Sequence, residues 1–268
     1  MGFHSRAPRG ARRLGGRWGA TLLAALALVT AGCGGENNVD ADEAPPSTPT
    51  TVSTATVDQS PTTNAAESLA RAVTRVRNEL RGVSQRNLVL GSETAPVTIV
   101  EYGTFACPAC SAVHLTVLPE VIERYVRTGQ ASLEFRGIAG DSRSRSRDLA
   151  LSAHAASTQR HGWDFVQLAY LRSSGRGTAQ DTPAETAAKL ATALGLDVRG
   201  WNDERAHPAW AAQVKAAASV AAAARFSSFP VFLVRARDTP EQPFVVLTGP
   251  SSVSEFTAAI EKARGSGG

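Results

Sequence analysis

Residues 96–110 read Pro-Val-Thr-Ile-Val-Glu-Tyr-Gly-Thr-Phe-Ala-Cys-Pro-Ala-Cys, and this stretch decides the fold. Its first half is β-branched and almost continuously apolar, which is typical of a buried strand. A turn at residues 103–106 follows, and then a helical pattern over residues 111–127 with valines four positions apart on one face. Pro119 lies inside that pattern and should interrupt it. The stretch therefore predicts a strand, a turn and a helix, with two cysteines where the helix starts.

Cys107 and Cys110 form a C-x-x-C motif at that helix start. The unpaired N–H groups and the positive end of the helix dipole favour an anion there, so a thiolate at Cys107 would be stabilised. Pro108 fits the first helical turn, where a missing N–H costs nothing. Cys110 lies one turn further and can close a disulfide with Cys107 or resolve a mixed disulfide. A static bridge is the alternative, but so short a loop would stabilise the fold by only about 2 kcal/mol, which favours redox exchange.

A metal site is a second alternative for the same segment. His114 follows Cys110 by four residues and Cys107 by seven, so the three side chains could share one helix face. Two thiolates and an imidazole would suit copper or zinc, and the protein would then be a metal carrier. No second ligand set is evident among the other histidines beyond the leader, which are His154, His161 and His207.

Further elements are predicted on both sides of this segment. Apolar residues at helical spacing indicate a helix over residues 69–80, and a short strand is expected at 87–91. A strand at 131–138 precedes a mostly helical block at 141–224, with helices at 147–159, 163–171, 184–194 and 210–224. Strands at 230–234 and 244–247 should form a hairpin, and Ser252 and Glu255 have the spacing of a capping box that opens a last helix. This order of elements indicates an α/β fold.

The chain of 268 residues has a formal net charge of +4, from 28 basic and 24 acidic residues. Five arginines lie within the first 17 residues, and without them the count is 23 basic to 24 acidic. The rest of the chain therefore lacks the basic excess that a nucleic-acid-binding protein needs, and no nucleic-acid partner is expected. Three cysteines exclude a disulfide-stapled mini-fold and a multi-cysteine zinc or iron–sulfur scaffold.

The first 32 residues have the plan of a signal peptide: a basic end, a short apolar run and small residues at the end. The segment Leu-Val-Thr-Ala-Gly-Cys at residues 28–33 resembles a bacterial lipobox. That resemblance implies cleavage before Cys33 and its modification with diacylglycerol, which with further acylation would anchor the chain to a membrane. A plain signal peptide with an incidental cysteine and a retained anchor helix are the alternatives.

After the lipidated Cys33, the segment up to residue 65 is rich in Thr, Ser, Pro and Asp and has no apolar period. Such a composition buries too little surface to offset the entropy of ordering. We interpret residues 33–65 as a disordered tether and residues 66–268 as the folded domain.

The segment 91–110 resembles the opening of exported DsbA-like thioredoxin-fold proteins. The similarity continues through His114, Leu118-Pro119 and Phe135-Arg136 and returns at Pro230, so it covers roughly residues 85–265. The resemblance implies a thioredoxin fold, with a central mixed β-sheet flanked by helices, and a helical insertion at about residues 141–224.

The same resemblance implies roles for four residues. Cys107 corresponds to the exposed nucleophile of the family and Cys110 to its buried resolving thiol. Glu101 corresponds to the carboxylate beneath the dithiol that influences its proton affinity, although an ordinary strand glutamate is the alternative. Pro230 corresponds to the cis-proline that packs against the disulfide, and a trans proline that begins a strand is its alternative.

Three further residues are expected to contact substrate. The dipeptide Pro108-Ala109 differs from the Pro-His and Gly-Pro variants of the family, and this dipeptide helps to set the direction of exchange. Phe229 precedes the candidate cis-proline, where the family usually has a small or β-branched residue whose backbone pairs with substrate chains.

The sequence therefore predicts an exported thiol–disulfide oxidoreductase that is lipid-anchored to the outer face of the bacterial cell membrane. We expect it to donate disulfides to reduced exported proteins and to be re-oxidised by a membrane partner, without a cofactor. The alternatives are a reductase or isomerase, a copper or zinc carrier using Cys107, Cys110 and His114, and a non-catalytic binding lipoprotein with an idle disulfide.

Overall fold

The most continuously apolar segment of the chain forms the central strand β3 (Val97–Gly103), whose residues are nearly all buried. The structure is a computed structural model, and it describes residues 61–139, 143–174, 181–239 and 241–265. The predicted signal peptide, residues 1–32, the predicted lipidation site Cys33 and most of the predicted tether lie outside these residues.

The described elements are short strands and helices, and most of the helices lie between β4 and β5. Before β3 come α1 (Pro61–Leu80), β1 (Gln85–Arg86) and β2 (Val89–Leu90). After it come α2 (Pro108–Thr116), α3 (Leu118–Val121), a π-helical turn (Ile122–Val126) and β4 (Ala131–Gly137). Five helices follow: α4 (Arg143–Thr158), α5 (Gly162–Ser174), α6 (Pro183–Leu194), α7 (Val198–Arg205) and α8 (Pro208–Ala223). The described part ends with β5 (Val231–Ala236), β6 (Val245–Thr248) and α9 (Val253–Gly265).

The six strands form one sheet in the order β1-β2-β4-β3-β5-β6. Strand β3 is parallel to β4 and antiparallel to β5, and the other neighbouring pairs are antiparallel. The predicted mixed sheet with flanking helices is confirmed, as is the hairpin of β5 and β6.

Helices cover both faces of the sheet at β3. On one face, Glu101 lies opposite Phe232 of β5, which packs edge-on against Phe256 of α9. On the other face, Val100 and Tyr102 pack with alanines of α8. Because both faces of β3 are covered, the strand reads as an unbroken apolar run and not as an alternating one.

Helices α4 to α7 share one hydrophobic core with the sheet and with α2. Their large side chains are fully buried, among them Trp163, Phe165, Tyr170 and Trp201. The indole of Trp163 donates to the carbonyl oxygen of Leu88 at 2.9 Å, which ties α5 to the β1–β2 hairpin. The helical block is therefore packed on the sheet and can contribute side chains to a site at its edge.

The structure corrects the predicted elements at several points. The tether was expected to extend to residue 65, but α1 begins at Pro61, because a proline fits the first turn of a helix. Helix α7 was not predicted, since its polar sequence buries only Trp201. The predicted interruption near Pro119 is confirmed, and it falls at Val117, which ends α2 and precedes α3.

Candidate active site

The two cysteines lie where α2 begins, at the carboxyl end of β3. Cys107 is the N-cap residue of α2, and its sulfur accepts the N–H of Cys110 at 3.0 Å. The two residues form a disulfide, with their Cα atoms 5.2 Å apart. Cys107 is half-buried, whereas Cys110 is fully buried. One sulfur is therefore accessible at the surface, and the other lies in the core behind it.

The segment before β5 lies against the accessible sulfur. The carbonyl oxygen of Phe229 is 3.3 Å from Sγ of Cys107, and the Phe229–Pro230 peptide bond is cis. Pro230 is buried, and Phe229 is half-buried between the two apolar clusters of the protein. Pro108 and Ala109 are exposed next to Cys107. All of the residues expected to contact substrate therefore border one sulfur atom.

Glu101 is fully buried in β3, among apolar neighbours. In the register of the sheet it lies opposite Phe135 on one side and Phe232 on the other. Both carboxylate oxygens contact Nε2 of His114, at 2.9 and 3.0 Å. A buried carboxylate needs such a partner, because the cost of removing a lone charge from water is very large.

His114 lies on α2, one turn after Cys110, and both of its ring nitrogens are engaged. While Nε2 faces Glu101, Nδ1 lies 2.5 Å from Oε1 of Gln167 on α5. The amide nitrogen of Gln167 in turn donates to a carboxylate oxygen of Glu79 on α1. Glu101, His114, Gln167 and Glu79 thus form a continuous chain of hydrogen bonds that leads from β3 through α2 and α5 to α1.

Tyr170 covers the histidine. Its ring stacks on that of His114 with centroids 4.0 Å apart, and its hydroxyl is buried with no hydrogen-bond partner in the described part of the chain. Burial raises the pKa of Tyr170 well above 10, and the charge of Glu101 raises it further. A side chain at Gly103 would place its Cβ 2.8 Å from both Glu101 Oε1 and the Tyr170 hydroxyl. Only glycine leaves room for these two oxygens.

Sequence reasoning pointed to one end of this chain and missed the other. Glu101 and His114 were candidates because each stands close to the C-x-x-C motif. Glu79 and Gln167 were not, since they come from helices distant in sequence and follow no local pattern. Gln167 reaches His114 through the packing of α5 against α2, and Glu79 reaches Gln167 through the packing of α1 against α5.

The metal-carrier alternative has no ligand set in the structure. Both nitrogens of His114 are engaged in hydrogen bonds, and no group of three or more His, Cys, Asp or Glu side chains in the described ranges could hold a metal ion. His114 is therefore part of a buried polar chain.

A dithiol at the start of a helix, beside a cis-proline and on a central mixed sheet, defines a DsbA-like thioredoxin fold. Residues 84–262 match the model of a family described as thioredoxin, which is more than half of the chain. The chain belongs to this thioredoxin family.

Solved structures show the same fold. The crystal structure of α-DsbA1 from Wolbachia pipientis is 20% identical, covers 69% of this chain and 92% of its own, and superposes with a TM-score of 0.59. The oxidised BdbD of Bacillus subtilis is 20% identical, covers 68% and 96%, and gives a TM-score of 0.54. The predicted fold class, a thioredoxin fold with helices between its two sheet halves, is confirmed.

Curated relatives match over a short segment. The chain is 48% identical over 46 residues to a probable disulfide bond formation protein D of Bacillus cereus, which is 17% of this chain and 21% of that protein. It is 34% identical over 47 residues to disulfide bond formation protein D of Bacillus subtilis. The matches thus span about a fifth of the length of these relatives.

None of the helices in the described ranges is both long enough and apolar enough to cross a membrane.

Proposed function

We propose that this protein is a thiol–disulfide oxidoreductase of the bacterial cell envelope that exchanges disulfides with exported proteins through Cys107 and Cys110. The observation that carries the proposal is the asymmetry of the two sulfurs. Sγ of Cys107 is half-buried at a helix start and Cys110 is fully buried behind it. A thiol partner can therefore reach Cys107 but not Cys110.

The chemistry assigned to the pair conserves electrons and atoms. A substrate thiolate attacks Sγ of Cys107, a bond forms between these sulfurs, and the Cys107–Cys110 bond breaks with its electron pair on Cys110. A second thiolate of the substrate then attacks the substrate sulfur and releases Cys107 as a thiolate. The substrate is oxidised to a disulfide, and the protein is reduced to a dithiol.

The residues around Cys107 would receive the substrate chain. The backbone of Phe229, whose carbonyl oxygen already lies 3.3 Å from the sulfur, could pair with an extended peptide next to the cis bond at Pro230. The exposed Pro108 and Ala109 would border the same peptide from the helix side. Glu101, buried in β3 and paired with His114 one turn after Cys110, would influence the protonation of the sulfurs.

We propose oxidation as the net direction, with reduced exported proteins as substrates and a membrane partner that re-oxidises the dithiol. The proline after the first cysteine and the helices between the sheet halves support this direction by resemblance to DsbA-like proteins. The relatives named for disulfide bond formation support it as well. Reductase and isomerase activity are the competing outcomes.

The test compares variants of each cysteine with a reduced, unfolded protein as substrate. Cys107→Ser should abolish disulfide transfer while the far-ultraviolet circular dichroism spectrum stays unchanged. With a substrate that already carries disulfides, Cys110→Ser should accumulate a mixed disulfide, because the Cys107 thiolate opens a substrate disulfide and the resolving sulfur is missing. Cys33→Ser is the matched control and should keep full transfer in solution. Undiminished transfer by Cys107→Ser would refute the proposal.

A further inference from the structure

The polar chain that begins at Glu101 extends beyond the residues that the exchange reaction uses. Gln167 is 3% exposed, and it contacts His114 with one end of its amide and Glu79 with the other. Neither Gln167 nor Glu79 approaches the cysteines through any contact that the structure describes. Their position therefore indicates an effect on His114.

The two ends of the Gln167 amide are chemically distinct, and their partners decide which way it faces. An ionised carboxylate only accepts hydrogen bonds, so Glu79 requires the NH₂ group. The carbonyl oxygen of Gln167 is thereby turned to His114, and an oxygen at 2.5 Å requires that Nδ1 carries a hydrogen. Glu79 thus sets the orientation of Gln167, and Gln167 sets the tautomer of His114.

The charged and titratable groups that face this chain come from every element packed around it. They are Arg75 and Glu79 on α1, Glu101 on β3, Cys110 and His114 on α2, and Tyr170 on α5. Burial raises the pKa of Glu79, while the hydrogen bond from Gln167 and the charges of Arg75 and His114 lower it. Burial outweighs the other three causes, so the pKa of Glu79 is raised overall, while Gln167, Arg75 and His114 offset part of this rise and support the ionised form that the orientation of Gln167 requires.

With Nδ1 fixed as a donor, only Nε2 of His114 can gain or lose a proton. We propose that Glu79 and Gln167 are positioning residues that lock His114 as the Nδ1–H form and thereby hold one proton between His114 Nε2 and Glu101. The reason is electrostatic. If the proton left, the lone pair of Nε2 would face the carboxylate of Glu101 at 2.9 Å and repel it. An imidazole whose Nδ1 is not held as a donor could instead move its remaining hydrogen to Nε2 and donate it to Glu101.

The fixed tautomer of His114 affects the charge near the dithiol, and this step rests on the proposed function. The junction of Glu101 and His114 is electrically neutral while it holds its proton and carries one negative charge without it. His114 follows Cys110 by one helical turn, so that charge would lie close beneath the sulfurs. A neutral junction removes a repulsion that would oppose a thiolate at Cys110 when the disulfide opens.

The test is nuclear magnetic resonance of the full chain with ¹⁵N-labelled histidine, in which long-range correlations distinguish protonated from bare ring nitrogens. In the unmodified protein, Nδ1 of His114 should stay protonated at every pH, and Nε2 should become bare only when the junction loses its proton. In Gln167→Leu the neutral ring should carry its hydrogen on Nε2. The pH at which Glu101 and His114 release their shared proton should also fall by about one unit, which corresponds to the free energy that one hydrogen bond contributes.

Glu79→Gln provides a second variant, because it changes no volume and lies at the half-buried end of the chain. It lets the Gln167 amide face either way, because an amide at position 79 can both donate and accept, so the Nε2–H form should be populated beside the Nδ1–H form, with a smaller downward shift than in Gln167→Leu. Asp164→Asn is the matched control, since Asp164 is also buried on α5, one turn before Gln167, but bonds to His161 and Gln85. It should leave the signals of His114 unchanged.

The proposal is overturned if His114 keeps a protonated Nδ1 in the neutral ring of Gln167→Leu, or if the pH of proton loss in that variant stays the same. These readouts need no exchange activity. Failure of the lock is therefore distinct from failure of the proposed function, which the cysteine variants test separately.

Discussion

The buried histidines His114 and His154 differ in the hydrogen-bond partners of their ring nitrogens. His114 has a partner at both nitrogens, Glu101 and Gln167. His154 stacks on Trp210 at 5.1 Å, and its Nδ1 is buried with no partner among the residues that the structure describes. Burial lowers the pKa of His154 to about 4. The two imidazoles thus differ in their hydrogen-bond partners, and burial favours the neutral form of His154.

Loss of the His114 side chain should be costly. His114→Ala leaves the carboxylate of Glu101 buried without a partner, and breaking a buried pair from one side destabilises a fold by about 3–5 kcal/mol. The matched control is His161→Ala, which removes a partner of Asp164 from a pair whose histidine side chain is 42% exposed. That change should cost less than about 1 kcal/mol. Equal midpoints of urea denaturation for the two variants would contradict this account.

The neutral His154 predicts a pH dependence of stability. In the unfolded chain the imidazole titrates near 6.5, whereas in the folded protein it does so at about 4. Between these values the unfolded state binds more protons, so stability falls as the pH falls through this window, by about 3 kcal/mol in total.

The measurement is the free energy of unfolding at pH 7 and at pH 4.5. In His154→Asn the free energies of unfolding at the two pH values should differ much less than in the unmodified protein. The control is His207→Asn, which removes an exposed histidine that also contacts Trp210 and should leave the difference between the two free energies unchanged. An unchanged pH dependence in His154→Asn would show that other groups cause it.

At the scale of elements, the site depends on where α2 begins and what it packs against. Cys107 caps α2, Pro108 occupies its first turn, and His114 near its end faces both β3 and α5. The short break at Val117 lets the chain turn through α3 and the π-helical turn toward β4. Gly91, which follows β2, lies against the end of that turn, so it connects the edge of the sheet to the helical layer.

Gly91 is therefore predicted to resist substitution. It has φ of +91°, and a Cβ there would lie 2.6 Å from Cγ1 of Val126. Gly91→Ala should destabilise the protein by more than the roughly 1–2 kcal/mol that a left-handed conformation alone costs. Gly129 is the matched control, with φ of +71° and no atom within 4 Å of an added Cβ among the described residues. Thermal unfolding midpoints that are equal for the two alanine variants would contradict the steric argument.

The local part of this architecture could be predicted from the sequence. The apolar run of β3, the C-x-x-C motif and the proline of the α2–α3 break are all encoded within about 25 consecutive residues. Helix α7 was missed because one buried tryptophan gives no periodic pattern. The short strand predicted at residues 87–91 contains β2, whereas its partner β1 was missed because a two-residue strand is too short to show a pattern. Glu79 and Gln167 were missed because they join the polar chain only in the folded protein.

At the scale of the whole molecule, we propose that the protein combines a folded domain with a lipid anchor. The domain carries the dithiol, and the proposed lipid at Cys33 would hold it at the outer face of the membrane. The proposed division is a signal peptide at residues 1–32, then Cys33 with a tether, and then the domain, with α1 beginning at Pro61. Such an arrangement would restrict the site to proteins that emerge from the membrane.

The anchor makes a direct prediction. Mass spectrometry of the protein from a bacterial membrane fraction should show a chain that begins at an acylated Cys33, because two or more acyl chains hold a protein stably on a bilayer. Cys33→Ser should release the chain from the membrane fraction while disulfide transfer persists. An unmodified, soluble chain with Cys33 intact would contradict the prediction of a lipoprotein.

The reduction potential of the Cys107–Cys110 pair separates a disulfide that is exchanged with substrates from one that only holds the fold together. The full chain would be equilibrated with buffers of defined thiol to disulfide ratio, and the reduced fraction would be measured by alkylation of Cys107 and Cys110. An oxidising exchange protein should give a potential well above the approximately −270 mV of thioredoxin. A potential below about −300 mV, typical of structural disulfides, would contradict the account.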